Sequence, residues 1–337
     1  MPTQRPATLQ DVATAAGVSA TTVSKFVNGQ KRFSLEVETR IRAAIDALDY
    51  RQNPVARSMA TGKTRVVGLA VLDIRNPHFT NIIQGASQVA EEHGYGLMVV
   101  DFKEKTFNAQ NLLSTLALRV DGIIASSRLP QEALDELQRI GKPAVLFGQT
   151  DPDQPPAPIL PSVRIQGYQA AFMLGKHLQE SGRKHLVYLA YPQSRWNQER
   201  LHGLRDAMPD ATIRVMELET QTMEAGERAA ATALYGSEKV DAIVCYNDMI
   251  AIGLLHEACS LGVQVPEQIA IAGFDNVPVT RYLTPPLTTV DMCSEQQGEK
   301  AMELLLHIIK TGQIEPTELQ LEPRLIVRAS TGVQRKS

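Results

Sequence analysis

The first fifty residues carry apolar side chains at helical spacing in three short runs. The first run, between Thr8 and Gly17, places its apolar residues on one face of a helix: Leu9, Val12, Ala13 and Ala16. Thr8 and Asp11 form a T-x-x-D capping pattern at its start, and Gly17 is suited to end it. The pattern predicts a short helix with one buried face.

Two further helices are predicted at close intervals. Ser19 is placed to cap the second helix, whose inward residues are Val23 and Val27, and Asn28-Gly29 closes it with a turn. Ser34 is placed to cap the third helix. The apolar face of that third helix is formed by Val37, Ile41, Ile45 and Leu48.

The second helix contributes little to a core and leaves small, mostly polar residues and one cation outside: Ala20, Thr21, Ser24, Lys25 and Asn28. Such a face fits the major groove of DNA, where Thr and Ser can bond base edges or phosphates and Lys25 can donate to guanine. A generic three-helix bundle with a solvated face explains the same spacing. The pattern leaves both interpretations open.

From Arg65 onwards, short apolar runs alternate with amphipathic helical stretches. Four strand-like runs come first: VVGLAVLDI, GLMVVDF, DGIIASS and PAVLFG. Four more follow the proline-rich segment 151–161: HLVYLAY, TIRVMEL, DAIVCYN and IAIAGFD. This layout predicts two doubly wound parallel α/β halves, whose ligands bind at the carboxyl ends of the strands.

The charge is unevenly divided along the chain. Residues 1–65 hold ten Lys and Arg against five Asp and Glu, whereas the remainder holds 24 against 32, for a net charge of −3. A basic head before an acidic body favours a polyanionic partner for the head.

The composition bounds the class of protein. A chain of 337 residues with 43% apolar and 21% charged residues is expected to be globular, with two or three domains. No run of eighteen apolar residues is present, and the first residues contain no apolar signal core. We therefore expect a cytoplasmic protein without a membrane partner.

Catalytic and metal-binding patterns are missing. The three cysteines stand apart, without a CxxC: Cys245, Cys259 and Cys293. The stretch ATGKT (60–64) ends like a phosphate-binding loop but has Arg57 where that motif requires Gly. The scattered histidines, His78, His93 and His177, lack catalytic partners. We expect no catalytic residue, no metal, no cofactor and no enzymatic activity.

The stretches TLQDVATAAGVSATTVSKFVN and RIRAAIDALDYRQNPVARSMATGKTRVVGLAV resemble the lactose/galactose repressor (LacI/GalR) family of bacterial transcriptional regulators. The resemblance runs essentially end to end. It implies an α + α/β architecture: a three-helix helix-turn-helix head, a hinge helix, and a periplasmic-binding-protein-like body of two doubly wound α/β subdomains. It also implies a sequence-specific regulator of operator DNA, commonly a repressor, controlled by a small carbohydrate-type effector.

The resemblance divides the chain into a DNA-binding domain at 1–52, a hinge at 53–63 and an effector-binding and dimerisation domain at 64–334. Its N-subdomain covers about 64–162 and 293–322, and its C-subdomain about 163–290 and 323–334. The chain ends soon after PRLIVRASTG, without the heptad tail that makes the lactose repressor a tetramer. We therefore expect a homodimer.

The resemblance assigns DNA-binding roles in the head. Base-reading positions are held by Ala20, Thr21 and Lys25. Phosphate-positioning sites are held by Ser19, Thr22, Ser24, Asn28 and Ser34. Leu9 and Tyr50 complete the set. Lys25 stands where many members have Arg, and because Lys lacks the bidentate fork, the operator sequence stays open.

The polar segment RQNPVARSMATGKT matches the family's hinge, which is helical only when two copies lie in the DNA minor groove. Met59 stands where other members have a Leu that wedges between base pairs. Asn53, Ala56 and Arg57 are expected along the groove. A plain linker is the alternative.

Effector-binding roles follow from family positions at the strand ends. Arg200, Asn247 and Asp275 match positions that bind the effector, and Asp248 is a candidate cap of the helix after it. Phe79 and Trp196 are candidate platforms for a sugar face, with core packing as the alternative for each.

Other cleft positions depart from the lactose-type pattern. Gly148 and Met292 stand where some members carry polar cleft residues. Arg128 can hold a carboxylate by two hydrogen bonds, with an ordinary surface arginine as the alternative. Gluconate-type members resemble the chain at Arg128 and in the start RPxxLQDVA.

A sugar acid, such as gluconate or ketogluconate, is therefore the first expected effector and a neutral sugar the second. The effector is expected to close the cleft between the two halves and to shift operator affinity, as an inducer or as a corepressor. The rival class is a periplasmic-type sugar-binding protein without DNA function, which leaves the basic head unexplained.

Overall fold

The computed structural model describes residues 5, 7–29, 31–51, 54–103, 109–148, 160–194, 196–236, 239–314 and 318–332, without the side chains of residues 54, 55, 59 and 60. The chain forms two compact units, Met1–Arg65 and Val66–Ser337, which we call the head and the body. The head is helical and the body is α/β, so the predicted fold class is confirmed.

The described part of the head contains the helices α1 (Leu9–Ala16), α2 (Ala20–Val27), α3 (Leu35–Ala47) and α4 (Pro54–Thr61). The predicted cap of α1 is present. The Asp11 carboxylate accepts the Thr8 backbone N–H at 2.8 Å, and the Thr8 hydroxyl accepts the Asp11 N–H at 3.3 Å. Gly17 ends the helix with φ +65°, as predicted from its tolerance of the left-handed region.

The core of the head is small and lies between α1, α2 and α3. Its buried residues are Val12, Ala13, Ala16, Val23, Ile41 and Ala44. Leu48 does not complete the predicted buried face of α3, because the helix ends at Ala47 and Leu48 stays 37% exposed. Ser34 is the N-cap residue of α3 but makes no side-chain capping hydrogen bond.

The first half of the body, which we call the N-half, is built on a parallel six-stranded sheet. Its strands are β1 (Val66–Val71), β2 (Gly96–Asp101), β3 (Gly122–Ser126), β4 (Ala144–Phe147), β5 (Ser162–Ile165) and β11 (Glu318–Leu321), in the order β11-β5-β4-β3-β1-β2. Its helices are α5 (Pro77–Glu92), α6 (Ala109–Ala117), α7 (Gln131–Ile140) and α12 (Ser294–Thr311).

The C-half repeats this layout with a second sheet. Its strands are β6 (His185–Ala190), β7 (Thr212–Glu217), β8 (Ala242–Cys245), β9 (Ala270–Phe274), β10 (Thr288–Asp291) and β12 (Arg324–Ile326), in the order β12-β10-β9-β8-β6-β7. Among its described strand pairs, β10–β12 is antiparallel and the others are parallel. Its helices are α8 (Gly167–Glu180), α9 (Trp196–Ala207), α10 (Met223–Tyr235) and α11 (Asp248–Ser260), with 3-10 turns at Pro278–Tyr282 and Ala329–Thr331.

The chain crosses between the two halves after β5, after β10 and between β11 and β12. The expected subdomain bounds assign residues 163–165 to the C-half. In the structure β5 pairs with β4 and β11, so the first crossing follows Ile165. All eight strand-like runs form strands, and the four strands that were not expected are short.

Two glycines allow α5 and α12 to lie unusually close. A Cβ atom at Gly85 would collide with the carbonyl oxygen of Glu295, and one at Gly298 with that of Ile82. This contact brings the start of α12 beside α5 within the N-half. None of the helices in the described ranges combines the length and apolar character needed to cross a bilayer.

Candidate functional site

The outer face of α2 is polar and accessible, as a helix that enters a DNA groove requires. Thr21 and Lys25 are exposed, and Ala20 is half-buried beside them. The Ser19 hydroxyl accepts the Thr22 backbone N–H at 3.1 Å, so the predicted cap is present. Val23 is the one residue of α2 that is fully buried.

The other DNA-binding candidates of the head divide into polar and packing residues. The Asn28 amide donates to the Ser24 hydroxyl at 3.4 Å, and Ser34 is exposed at the start of α3. Leu9 and Tyr50 are half-buried and pack against the core of the head. Packing is therefore one role of these two residues.

The expected hinge is helical in this structure, as α4. Ala56 is exposed and Arg57 is half-buried on it. Asn53 and the side chain of Met59 lie outside the described parts of the chain. That this helix depends on DNA stays a prediction.

A cavity lies in the body between the N-half and the C-half. Six of the eight expected effector-binding residues line it: Phe79, Arg128, Gly148, Trp196, Arg200 and Asp275. The strand ends therefore meet where the doubly wound layout predicts a ligand site.

Asn247 and Met292 do not line this cavity. Asn247 caps α11: its Oδ1 accepts the Ile250 N–H at 3.0 Å, and its amide donates to the Gln221 Oε1 at 3.3 Å. Asn247 therefore contacts Gln221, which does line the cavity. Met292 is fully buried in the apolar core of the C-half, because its position directly follows β10.

Asp248 is not the cap of α11. Its buried carboxylate accepts the Thr289 hydroxyl at 2.7 Å and the Val277 N–H at 2.9 Å. Burial, followed by the charge of Asp275, raises the pKa of Asp248 well above its usual value.

Arg200 is held in an aromatic cage on the C-half. Its Cζ lies 4.2 Å from the ring centre of Phe274, 4.7 Å from that of Tyr246 and 5.1 Å from that of Trp196. The side chain is 3% exposed, and its Nη1 donates to the Tyr246 carbonyl oxygen. Among the described residues no group accepts its buried Nε. The cage fixes the cation at the cavity wall.

Arg128 reaches the same cavity from the N-half. It follows β3, is half-buried, and places its Cζ 5.7 Å from the ring centre of Tyr191 on the C-half. It is therefore a residue of the cleft. Gly148 lines the cavity after β4 with φ +97°, a conformation that suits glycine and leaves the wall without a side chain.

Both candidate aromatic platforms serve two purposes. Phe79 is 2% exposed and belongs to the apolar core of the N-half, while Trp196 is 5% exposed and belongs to that of the C-half. Each also forms part of the cavity wall. The two interpretations of each residue are thus compatible.

Asp275 is the acidic residue of the cavity wall. It follows β9 with φ +108°, a conformation that few non-glycine residues adopt, and it is 7% exposed. Burial raises the pKa of Asp275 to about 7, and the charges of Arg200 and Arg128 oppose this rise. Its charge therefore depends on pH near neutrality.

His78 is a cleft residue that the sequence did not single out. Its Nδ1 lies 2.7 Å from the Ser294 hydroxyl and 3.8 Å from Oδ1 of Asp275. Burial lowers the pKa of His78 to about 3, and Arg200 and Arg128 contribute to this shift. His78 is therefore a neutral hydrogen-bonding group at neutral pH.

The remaining lining residues are Asn76, Ser126, Phe147, Gln221 and Tyr246. Ser126 and Phe147 end β3 and β4, and Tyr246 follows β8, so the strand-end rule alone could have identified these three. Gln221 lies in a loop before α10, so the strand-end rule does not identify it. Within the described ranges, no group of three or more His, Cys, Asp or Glu is arranged to hold a metal ion.

Comparison with known proteins agrees with both parts of the chain. The family described as bacterial regulatory proteins, lacI family, matches residues 8–53, and the periplasmic binding protein-like domain matches residues 176–331. The HTH-type transcriptional repressor CytR of Escherichia coli (strain K12) is 31% identical over 332 residues, which cover 96% of each protein. The chain belongs to the lacI family of bacterial regulatory proteins.

Further similarities extend over nearly the whole chain. The ribose operon repressor of Bacillus subtilis (strain 168) is 32% identical over 96% of this chain and 98% of its own length. The solved complex of the transcriptional regulator CelR with cellobiose covers 96% of this chain and 99% of its own, at 26% identity and a TM-score of 0.69. This lacI-family protein is a DNA-binding transcriptional repressor with a ligand-binding body, and it is not an enzyme.

Proposed function

We propose that this repressor binds a small sugar acid in the cleft and that the bound acid controls its affinity for operator DNA. The observation that carries the proposal is the charge of the cleft. Arg128 and Arg200 come from opposite halves and share the cavity with Asp275, the one carboxylate among the described residues that line it. Two buried or half-buried cations favour a ligand that supplies a negative charge.

The rest of the cavity suits a polyhydroxy chain or ring. Trp196, Phe79 and Tyr246 provide aromatic surface for C–H groups, and Ser126 and Gln221 provide hydrogen-bonding groups for hydroxyls. A neutral sugar would use these same groups but would offer no carboxylate to either arginine. The sugar acid therefore accounts for more of the cleft.

The same proposal places α2 in the major groove of operator DNA. Thr21 and Lys25 stand exposed on one helix whose caps and core are satisfied by other residues, so both side chains are available to base edges. Ser19, Thr22 and Ser34 are suited to phosphates, which set the register.

We further infer that the protein acts as a homodimer. An apolar groove on the C-half is lined by residues that include Met223, Leu255 and Leu283. On the 3-10 turn just before Leu283, Val279 is 44% exposed and Tyr282 is 76% exposed. A second copy of the chain would cover such a surface and would pair two heads with the two half-sites of an operator.

Control of DNA binding follows from the position of the ligand. Because its contacts come from both halves of the body, a bound acid favours the arrangement in which Arg128 and Arg200 approach it together. The sense of regulation depends on which arrangement binds DNA more tightly.

A thermal-shift screen of the full-length protein tests the ligand class. We expect gluconate or ketogluconate to raise the melting temperature, because both bind only the folded state, and D-glucose, D-ribose and purines to have no effect. Arg128→Gln should remove the shift, whereas Arg119→Gln, an exposed arginine after α6, should retain it. A shift with neutral sugars that survives Arg128→Gln would overturn the sugar-acid proposal in favour of a neutral sugar.

A further inference from the structure

Burial and the lack of hydrogen-bond donors in the described part of the chain disfavour the charge of the Asp275 carboxylate. It is 7% exposed, and among the described residues no group donates a hydrogen bond to it. The Nδ1 of His78 lies 3.8 Å from its Oδ1, which is too far for a hydrogen bond. A buried carboxyl group without donors favours its neutral, protonated form.

Charged and titratable groups face Asp275 from every surrounding element. They are His78 on α5, Arg128 after β3, Arg200 on α9, Asp248 on α11, Asp291 on β10, and Arg281, Glu295 and Arg324 around a groove that Asp275 also lines. Arg328 is directed to the neighbouring residue, where its Nη2 donates to Asn276 Oδ1 at 2.7 Å.

These groups divide into two opposing sets. Arg200 and Arg128 favour the ionised form, whereas burial and the charge of Asp291 favour the neutral form. The result is a carboxyl group whose pKa stands at about 7. A modest change in the charge of the cleft therefore changes its protonation.

We propose that the cleft takes up a carboxylate ligand together with one proton, which Asp275 holds. This inference rests on the proposed function and adds the protonation state of the bound complex. The proton comes from the solvent and forms an O–H bond on the Asp275 carboxylate. That hydroxyl then donates a hydrogen bond to a carboxylate oxygen of the ligand.

An anionic ligand would drive this uptake in two ways. It neutralises the charges of Arg128 and Arg200 that hold Asp275 ionised, and it adds a negative charge close to Asp275. Protonation then replaces a repulsion between two carboxylates by a hydrogen bond. A neutral sugar would have the opposite effect, because its hydroxyl would donate to the ionised carboxylate and favour loss of the proton.

His78 is a poorer acceptor for this proton. Its Nδ1 lies 2.7 Å from the Ser294 hydroxyl, within hydrogen-bonding distance, and its side chain is 15% exposed beside two arginines. A positive imidazolium at this place would be repelled by both of them. The neutral acid form of Asp275 meets no such repulsion.

Isothermal titration calorimetry of the full-length protein with D-gluconate at pH 8 tests the proposal. The titration is repeated in phosphate and in Tris, whose ionisation enthalpies differ. We expect the observed enthalpy to differ between the buffers by an amount that corresponds to uptake of about one proton. The Kd should rise by up to about tenfold for each pH unit above 7, the pKa of the free site.

Three variants assign the proton. Asp275→Asn keeps the shape of the side chain, and Asn tolerates positive φ, so this variant should bind gluconate without dependence on buffer or pH. His78→Gln should retain the proton uptake. Asp206→Asn removes an exposed carboxylate on α9 and should behave as the wild type.

The outcomes separate this inference from the proposed function. If gluconate binds the wild type with the same enthalpy in both buffers, the proton inference is wrong and the sugar-acid cleft stands. Uptake that survives Asp275→Asn and disappears in His78→Gln would assign the proton to His78 and would also overturn it. If no sugar acid binds while a neutral sugar does, both the proposed function and this inference fail.

Discussion

The two arginines of the cleft have opposite surroundings. Arg200 is 3% exposed, lies against three aromatic rings and donates to a backbone carbonyl, so it is part of the core of the C-half. Arg128 is half-buried and contacts the C-half through the ring of Tyr191. One cation is fixed by its own half of the body, and the other extends across the cleft.

This difference separates two roles that a ligand-binding arginine can have. A caged guanidinium is already ordered, so a ligand gains a preorganised partner. We therefore expect Arg200 to be required for any ligand and Arg128 to select an acid.

The largest expected effect comes from Arg200→Met, which fills the cage without a charge. Loss of a desolvated charged partner costs about 2–5 kcal/mol of binding, so gluconate affinity should fall by about thirtyfold or more. Calorimetry measures the change, and circular dichroism checks that the fold is retained. Wild-type affinity in this variant would show that the ligand does not contact Arg200.

Arg128→Gln should have a smaller effect on binding. Removing a hydrogen bond to a charged group costs about 1.5–3 kcal/mol, which corresponds to roughly 10- to 100-fold in Kd for gluconate. The melting temperature of the ligand-free variant, measured in parallel, checks that the fold is retained. Unchanged gluconate affinity in this variant would contradict a role in selecting the acid.

Lys25→Ala tests whether the head and the body act through separate contacts. Loss of one base contact costs about 1–3 kcal/mol, so the affinity for a selected operator duplex should fall by roughly fivefold or more, with weaker discrimination between operators. Gluconate binding should be unchanged. Lys184→Ala, an exposed lysine of the body, is the control and should leave DNA binding intact.

The smallest effect concerns the dependence of stability on pH. The pKa of Asp275 is about 7 when folded and 3.8 when unfolded, so its contribution to stability is lost as the pH rises from about 4 to 7. The pKa of His78 is about 3 when folded and 6.5 when unfolded, so its contribution to stability is lost as the pH falls from 6.5 to about 3. In the wild type the two changes oppose each other.

Asp275→Asn removes the first change and leaves the second. The melting temperature of this variant, relative to the wild type, should therefore rise as the pH increases from 4 to 7. Differential scanning calorimetry at four pH values measures the difference. A difference that is constant over this range would show that Asp275 is ionised throughout.

The head was more predictable from the sequence than the cleft. Its caps depend on residues two or three positions apart, such as Thr8 with Asp11, and local patterns of this kind are visible in a sequence. Leu48 departed from the pattern because periodicity does not fix the residue at which a helix ends.

The cleft combines residues that are far apart in the chain, and this limits prediction. His78 pairs with Ser294 across 216 positions, through a contact of α5 and α12 that no local pattern indicates. Met292 was expected in the cleft from its family position, yet its side chain packs in the core of the C-half. The direction of the chain after β10 decides this, and the sequence does not show it. The strand-end rule located the site, while the partners of each residue required the fold.

The central claim is that an acid in the cleft changes the affinity of the head for DNA. The most direct test is the fluorescence anisotropy of an operator duplex, selected from a random library with the wild-type protein, titrated with and without D-gluconate. We predict at least a tenfold change in Kd for the wild type, none with D-glucose, and none for Arg128→Gln. An unchanged Kd in the presence of gluconate, or an equal change in Arg128→Gln, would contradict the claim.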